Sequence, residues 1–191
     1  ATDPFGSITS EIMNFTDVPT GYEWSYNASL CDSCDYDINV VSISADGEYI
    51  VSASVNHRIQ FFNKDSGNPL WTKELSAEVH SLAISVDGEY IVVGNDNIYL
   101  FDKDSSTPLW SYDVGASVKS VAISADGQYL VAGSYNDKVY LFDKDSSTPL
   151  WSYGTSDDVN SVSISADGEY IAAGSDDDKV YLFDKGSSTP L

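Results

Sequence analysis

Most of this 191-residue chain is one segment written four times, and the clearest copy runs from Ser161 to Leu191. An Asp-Gly pair marks each copy: Asp46-Gly47, Asp87-Gly88, Asp126-Gly127 and Asp167-Gly168, with successive pairs 41, 39 and 41 residues apart. A unit of this length cannot bury its apolar face alone, so the core must form between stacked neighbours. The copies occupy about 38–75, 79–113, 118–154 and 159–191, within one repeat domain spanning 22–191. Residues 1–21 match no copy and form an N-terminal arm, in which Ile8, Ile12, Phe15 and Val18 suit a short amphipathic helix and an extended segment equally.

Within each copy the pattern predicts four strands. The first covers Val40–Ser44, Ser81–Ser85, Ser120–Ser124 and Ser161–Ser165, with bulky residues such as Val41 and Ile43 alternating with small Ser and Ala. The Asp-Gly pair then signals a hairpin, because Gly supplies the positive φ that the turn needs. Second strands follow at Tyr49–Ser54, Tyr90–Asn95, Tyr129–Ser134 and Tyr170–Ser175, and third strands at Ile59–Asn63, Ile98–Asp102, Val139–Asp143 and Val180–Asp184. Pro69, Pro108 and Pro149 precede a Leu-Trp that opens the fourth, and proline at a strand's first residue marks an outer edge. No long Ala/Leu/Glu/Lys block reads as a helix. Four strands per unit of about 40 residues predict an all-β fold, a β-propeller of four-stranded antiparallel blades with four blades in this chain.

The residues also resemble known repeats. Ser165 to Asp177, Ser-Ala-Asp-Gly-Glu-Tyr-Ile-Ala-Ala-Gly-Ser-Asp-Asp, resembles the front half of a WD repeat. Leu100-Phe101-Asp102, Leu141-Phe142-Asp143 and Leu182-Phe183-Asp184 resemble its Leu-Trp-Asp end with Phe in place of Trp. The stretch Val139 to Tyr153 is as similar to the repeats of quinoprotein-like (PQQ-like) propellers, whose outer strand carries a similar Trp. The resemblance covers residues 23–191 and implies the fold. The Gly-His pair of WD repeats is absent, and the strand position that would hold its serine carries Ser52, Val93, Ala132 and Ala173, so that family's buried hydrogen-bond network is not carried over.

The fourth copy stops at Pro190-Leu191, where the others continue into Trp, while Glu23-Trp24-Ser25-Tyr26 at the front matches Leu109-Trp110-Ser111-Tyr112. Residues 23–26 therefore read as an outer strand displaced to the front, and strand exchange through Trp24 and Tyr26 is expected to complete the last blade. An open edge exposes unpaired backbone groups. Burying a Trp of about 150–250 Å² at about 25 cal/mol per Å² yields on the order of 4–6 kcal/mol before entropy costs. Three arrangements satisfy that edge: closure within one chain, donation between chains into an eight-bladed ring or a polymer, or membership of a longer array.

Only 9 Lys and Arg stand against 30 Asp and Glu, a formal charge of −21. That excludes binding to nucleic acid or to an anionic membrane surface, both of which need a basic face. No apolar run reaches the ~18 residues of a membrane span, so no membrane insertion is expected. The Ala1-Thr2-Asp3-Pro4 start, the sequons at Asn14 and Asn27 and the pair Cys31 and Cys34 together lead us to expect an extracellular or cell-surface protein, with N-glycosylation at those asparagines and a local disulfide.

Signatures of catalysis are thin. His57 and His80 fall in no Ser-His-Asp order and no metal motif. The position of His80 holds Asn39, Lys119 and Asn160 in the other copies, and variation at one place in otherwise uniform repeats makes these four the candidate axial or partner-binding residues. No cofactor is expected. Calcium is the one candidate ion, through Asp176-Asp177-Asp178 and the Asp-Lys-Asp-Ser-Ser loops, although Asp and Ser also serve turn geometry there. The expected function is a non-enzymatic protein-interaction or self-assembly module with protein partners, its own copies included. The alternative is a quinoprotein-like enzyme or small-ligand sensor working along the axis.

Overall fold

In the computed structural model, residues 24–26 and 37–191 are described. The first blade contains β1 (Ile38–Ile43), β2 (Tyr49–Ser54), β3 (Arg58–Asn63) and β4 (Trp71–Glu74). The second contains β5 (Ser81–Ile84), β6 (Tyr90–Gly94), β7 (Asn97–Asp102) and β8 (Trp110–Asp113), and the third β9 (Val118–Ile123), β10 (Tyr129–Ser134), β11 (Lys138–Asp143) and β12 (Trp151–Gly154). Among the described residues the fourth has three strands, β13 (Val159–Ile164), β14 (Tyr170–Ser175) and β15 (Lys179–Asp184). Each sheet is an antiparallel meander in chain order. No helix among the described residues is long and apolar enough to cross a membrane.

The strand assignments agree with the sequence apart from their ends, and the ends have physical causes. Inner strands β1, β9 and β13 begin two residues early because the register slips between Ile38 and Val40, between Val118 and Ser120, and between Val159 and Ser161. These are β-bulges, which leave one residue unpaired and re-aim it. The inner strands stop before Ser44, Ser85, Ser124 and Ser165 because each serine closes the turn instead. Ser44 Oγ donates to Asp46 Oδ1 at 2.6 Å and accepts from Tyr49 N at 3.0 Å, and Asp46 Oδ1 accepts from Glu48 N at 2.9 Å. The same three bonds recur in every blade. The connection is thus longer than a two-residue hairpin, with Gly47, Gly88, Gly127 and Gly168 at φ of 71–74°. The outer strands start at Trp71, Trp110 and Trp151, two residues after the prolines, which lie in the loop.

The serine hydroxyl, and after it the backbone N–H of residue 128, hold the Asp126 carboxyl below its ordinary range. A carboxylate whose folded pKa is depressed stabilises the fold above its unfolded pKa of about 4, and that contribution is lost as pH falls through the lower, folded value. Ser124→Ala should therefore cost about 1–2 kcal/mol near pH 6 and visibly less at pH 3. Urea unfolding of both proteins at the two pH values checks this, and a gap independent of pH would remove the carboxylate from the account.

The core lies between blades. β2 and β3 contribute Val51, Ala53, Ile59 and Phe61 to a cluster completed by Val79, Leu82, Ile84, Ile91 and Phe101 of the second blade. The pattern repeats between the second and third blades and between the third and fourth. Each of the first three blades thus has a back face, built on its second and third strands, that takes the front face of the next.

Candidate interaction site

At one end of the blades lie the starts of the inner strands, the turns between second and third strands, and the loops between blades. Asn39, Lys119 and Asn160 occupy the three bulges, and His80 directly precedes β5 with its N–H donating to Gly94 O at 3.0 Å. The fold thus brings the four candidate residues to equivalent points on neighbouring inner strands. Each is engaged differently. Asn39 Nδ2 donates to Val79 O at 2.8 Å and Glu78 Oε1 at 3.3 Å, the Lys119 ammonium lies 4.4 Å from the centre of the Tyr135 ring, and Asn160 Nδ2 donates to Asp176.

No sequence motif joins Asp137, Asp157 and Asp158, whose carboxylate oxygens lie within 4.8 Å of one another. They come from a strand turn of the third blade and the loop leading to the fourth. Burial, followed by repulsion from Asp137, Asp157 and Asp176, raises the Asp158 carboxyl above its ordinary range. Nearby, Asp177 replaces the Asn136 of the preceding blade. Asn136 Nδ2 donates to Val114 O and to Tyr140 Oη, both at 2.7 Å. A carboxylate cannot donate, and Asp177 Oδ2 instead accepts from Tyr181 Oη at 2.5 Å, Lys179 Nζ at 3.1 Å and Ser156 N at 3.2 Å. These donors, Tyr181 foremost, hold the Asp177 carboxyl far below its ordinary range. His57 sits at φ 69° in the turn between β2 and β3, where Asp137 and Asp178 take the same backbone form.

The quinone cofactor implied by a quinoprotein resemblance is an anionic carboxylate compound. At this end it would meet the aspartate trio, with Lys119 and Lys179 already engaged. At the opposite end Lys64, Lys103, Lys144 and Lys185 are paired with Glu48, Glu89, Asp145 and Glu169. The residues do not fit that group.

A chain of indoles ties the blades together at that opposite end. Trp71 donates through Nε1 to Lys103 O at 2.7 Å, Trp110 to Lys144 O at 2.7 Å and Trp151 to Lys185 O at 2.8 Å. Trp24 makes the same bond to Lys64 O at 2.5 Å and stacks on Phe62 with ring centres 5.5 Å apart. Trp24 thus stands where the outer-strand Trp of a blade preceding the first would stand. Pairing of residues 24–26 with β15 is not among the strand pairs of the described residues. Cys31, Cys34, Asn14 and Asn27 lie outside the described residues.

Among the described residues the end blades leave one face each exposed. Val41 and Ile43 on the first blade are 64% and 60% exposed, whereas their equivalents Leu82 and Ile84 are buried. On the fourth blade Val180 and Leu182 are 83% and 46% exposed, whereas Ile98, Leu100, Val139 and Leu141 are fully buried.

Repeated four-stranded meanders stacked face to face through alternating Phe, Val and Trp define a β-propeller repeat protein. The chain belongs to the family whose model is described as outer membrane protein assembly factor BamB, a PQQ-like repeat, matched over residues 55–189. The model described as WD domain, G-beta repeat matches residues 25–63, from within the Trp24–Tyr26 segment to the end of β3. Comparison with curated proteins gave no match.

Proposed function

We propose that the protein is a non-enzymatic scaffold, extracellular or on the cell surface, that works by joining propeller units to one another or to other proteins. The observation that carries this reading is the pair of uncovered blade faces, whose apolar side chains are buried wherever two blades meet inside the chain. Apolar patches of this kind mark interaction surfaces. The bulged residues Asn39, Lys119 and Asn160, with His80 at the equivalent point before β5, offer a second, polar surface on which a protein partner would be distinguished. Acidity supports the same reading: a charge of −21 keeps blades soluble while leaving the apolar faces to choose their partner. The two sequons and the cysteine pair support the location.

Light scattering on protein secreted by a glycosylating host tests both halves. The expected mass exceeds the 20.7 kDa polypeptide by a portion that an endoglycosidase removes and a portion that dilution removes. A mass of 20.7 kDa at every concentration would refute the assembly reading, and a mass untouched by the glycosidase would refute the location.

A further inference from the structure

We propose that the fourth blade of one molecule packs on the first blade of a second copy, head to tail, with residues 24–26 of the second copy pairing with β15 of the first as its outer strand. This rests on the reading of the protein as an assembling scaffold and names its partner, its faces and its register.

The two uncovered faces are halves of one interface that the chain already completes three times, and the halves match position by position. Gly94 and Gly133 are sockets on back faces: a Cβ on Gly133 would lie 2.6 Å from Val159 Cγ1 and 3.0 Å from Val162 Cγ1 of the next blade, and one on Gly94 would crowd Val118 and Val121 alike. Gly174 holds the same place on the fourth blade and has nothing within 4 Å. The side chains that would enter it, Ile38 and Val41, are exposed on the first blade.

At the other end of the blades the turn glycines receive a tyrosine from the preceding blade. Tyr49 packs on Gly88, Tyr90 on Gly127 and Tyr129 on Gly168. Lys103, Lys144 and Lys185 then lie over those same tyrosine rings, 5.7, 5.6 and 4.6 Å from their centres. Tyr170 continues the series on the fourth blade and is exposed, while Gly47 on the first blade has nothing within 4 Å. Backbone bonds follow the same rule, from Ala45 N to Val86 O, Val86 N to Ala125 O and Ala125 N to Ala166 O. The Ala166 N–H and the Ala45 carbonyl are the two ends of that ladder.

Trp24 supplies the remaining strand. In the third blade Leu141, Tyr140 and Val139 pair with Trp151, Ser152 and Tyr153. The same register sets Leu182, Tyr181 and Val180 opposite Trp24, Ser25 and Tyr26 of the neighbouring copy, whose Trp24 already lies on its own Phe62 and Lys64. Among the described residues both faces are exposed at once, so neither covers the other. A back face that repeats the chain's own interior text is what a second copy provides. Because front and back differ, the contact is heterologous: it closes a ring where the rotation permits and otherwise runs on.

The experiment uses single-face variants. Val41→Asp blocks the front and Val180→Asp blocks the back, and both positions are open to water, so the chain itself tolerates the charge. Wild type is expected to run above 20.7 kDa, and each variant alone at 20.7 kDa. Mixing the two variants is expected to restore a 1:1 complex of about twice that mass, because one intact front meets one intact back; the double variant restores nothing. Gly174→Ala is the second probe. It fills an empty socket, leaves thermal stability of the single chain unchanged or higher, and weakens self-association at least about thirtyfold. An assembly that Val41→Asp abolishes and Val180→Asp leaves intact would mean front-to-front pairing and overturn the proposal while sparing the scaffold reading. Variants that stay apart on mixing, beside an oligomeric wild type, would do the same. A wild type that is monomeric throughout would overturn both.

Discussion

Phe142→Ala is expected to lower the unfolding free energy by about 3–5 kcal/mol, the range for deleting a fully buried aromatic ring. Phe142 is inaccessible to water and stands where two blades meet. Trp110 of the second blade lies 5.4 Å away centre to centre, Tyr112 meets it edge-on at 5.3 Å, and Tyr140 of its own blade lies at 6.2 Å. Truncation therefore removes one ring from a cluster of four and leaves a void that stiff β-strands cannot collapse around. Since blades are coupled mainly to their neighbours, the damage falls on the junction between the second and third blades. Chemical denaturation followed by tryptophan fluorescence should show an earlier and broader transition, with the two halves of the array separating. The equivalent change at Phe62 should fall at the low end of the range. Phe62 is covered by Trp24 and Tyr26 rather than by a complete preceding blade, and Val41 and Ile43 of the same sheet already face water. Equal losses at the two sites would show that the core is not organised by blade junctions.

The repeat made the blades legible because a 40-residue period, an Asp-Gly turn and runs such as Val-Tyr-Leu-Phe-Asp each report on local backbone. The middle strands were read to within a residue or two, since both faces of them are buried and the apolar run is nearly unbroken. Trp24 was recognisable from its Ser-Tyr context as a counterpart of Trp71, Trp110 and Trp151, and it makes their indole bond, although residues 24–26 form no strand. What joins one blade to the next was not legible. Lys103 and Tyr49 are 54 positions apart, and only the stacking angle of the blades decides that the ammonium lies over that ring. The bulges were missed for a related reason: an extra residue on one strand of a pair is invisible until the partner strand is in register. The aspartate trio was hidden because Asp137 and Asp157 belong to different blades, while in the more conspicuous Asp176-Asp177-Asp178 run Asp176 accepts from Asn160, Asp177 accepts from Tyr181 and Lys179, and Asp178 sits in the turn at positive φ.

Gly133→Ala and Gly174→Ala are the same substitution at the same register of adjacent blades, and they should have opposite effects on the stability of the single chain. At Gly133 the new methyl would meet Val159 Cγ1 at 2.6 Å and Val162 Cγ1 at 3.0 Å. Both valines are branched at Cβ, held in strands and buried, so neither has a rotamer to retreat to. Overpacking of this kind costs about 1–3 kcal/mol, which outweighs the roughly 0.4–1 kcal/mol gained by restricting the unfolded chain. At Gly174 the methyl enters open space, only the second effect remains, and the midpoint of thermal unfolding should hold or rise. Calorimetry at a concentration low enough to keep the chains apart measures both. A loss at Gly174 matching that at Gly133 would mean that something already fills the fourth blade's socket, and a neutral result at Gly133 would mean that blades slide on one another more freely than interlocked valines allow.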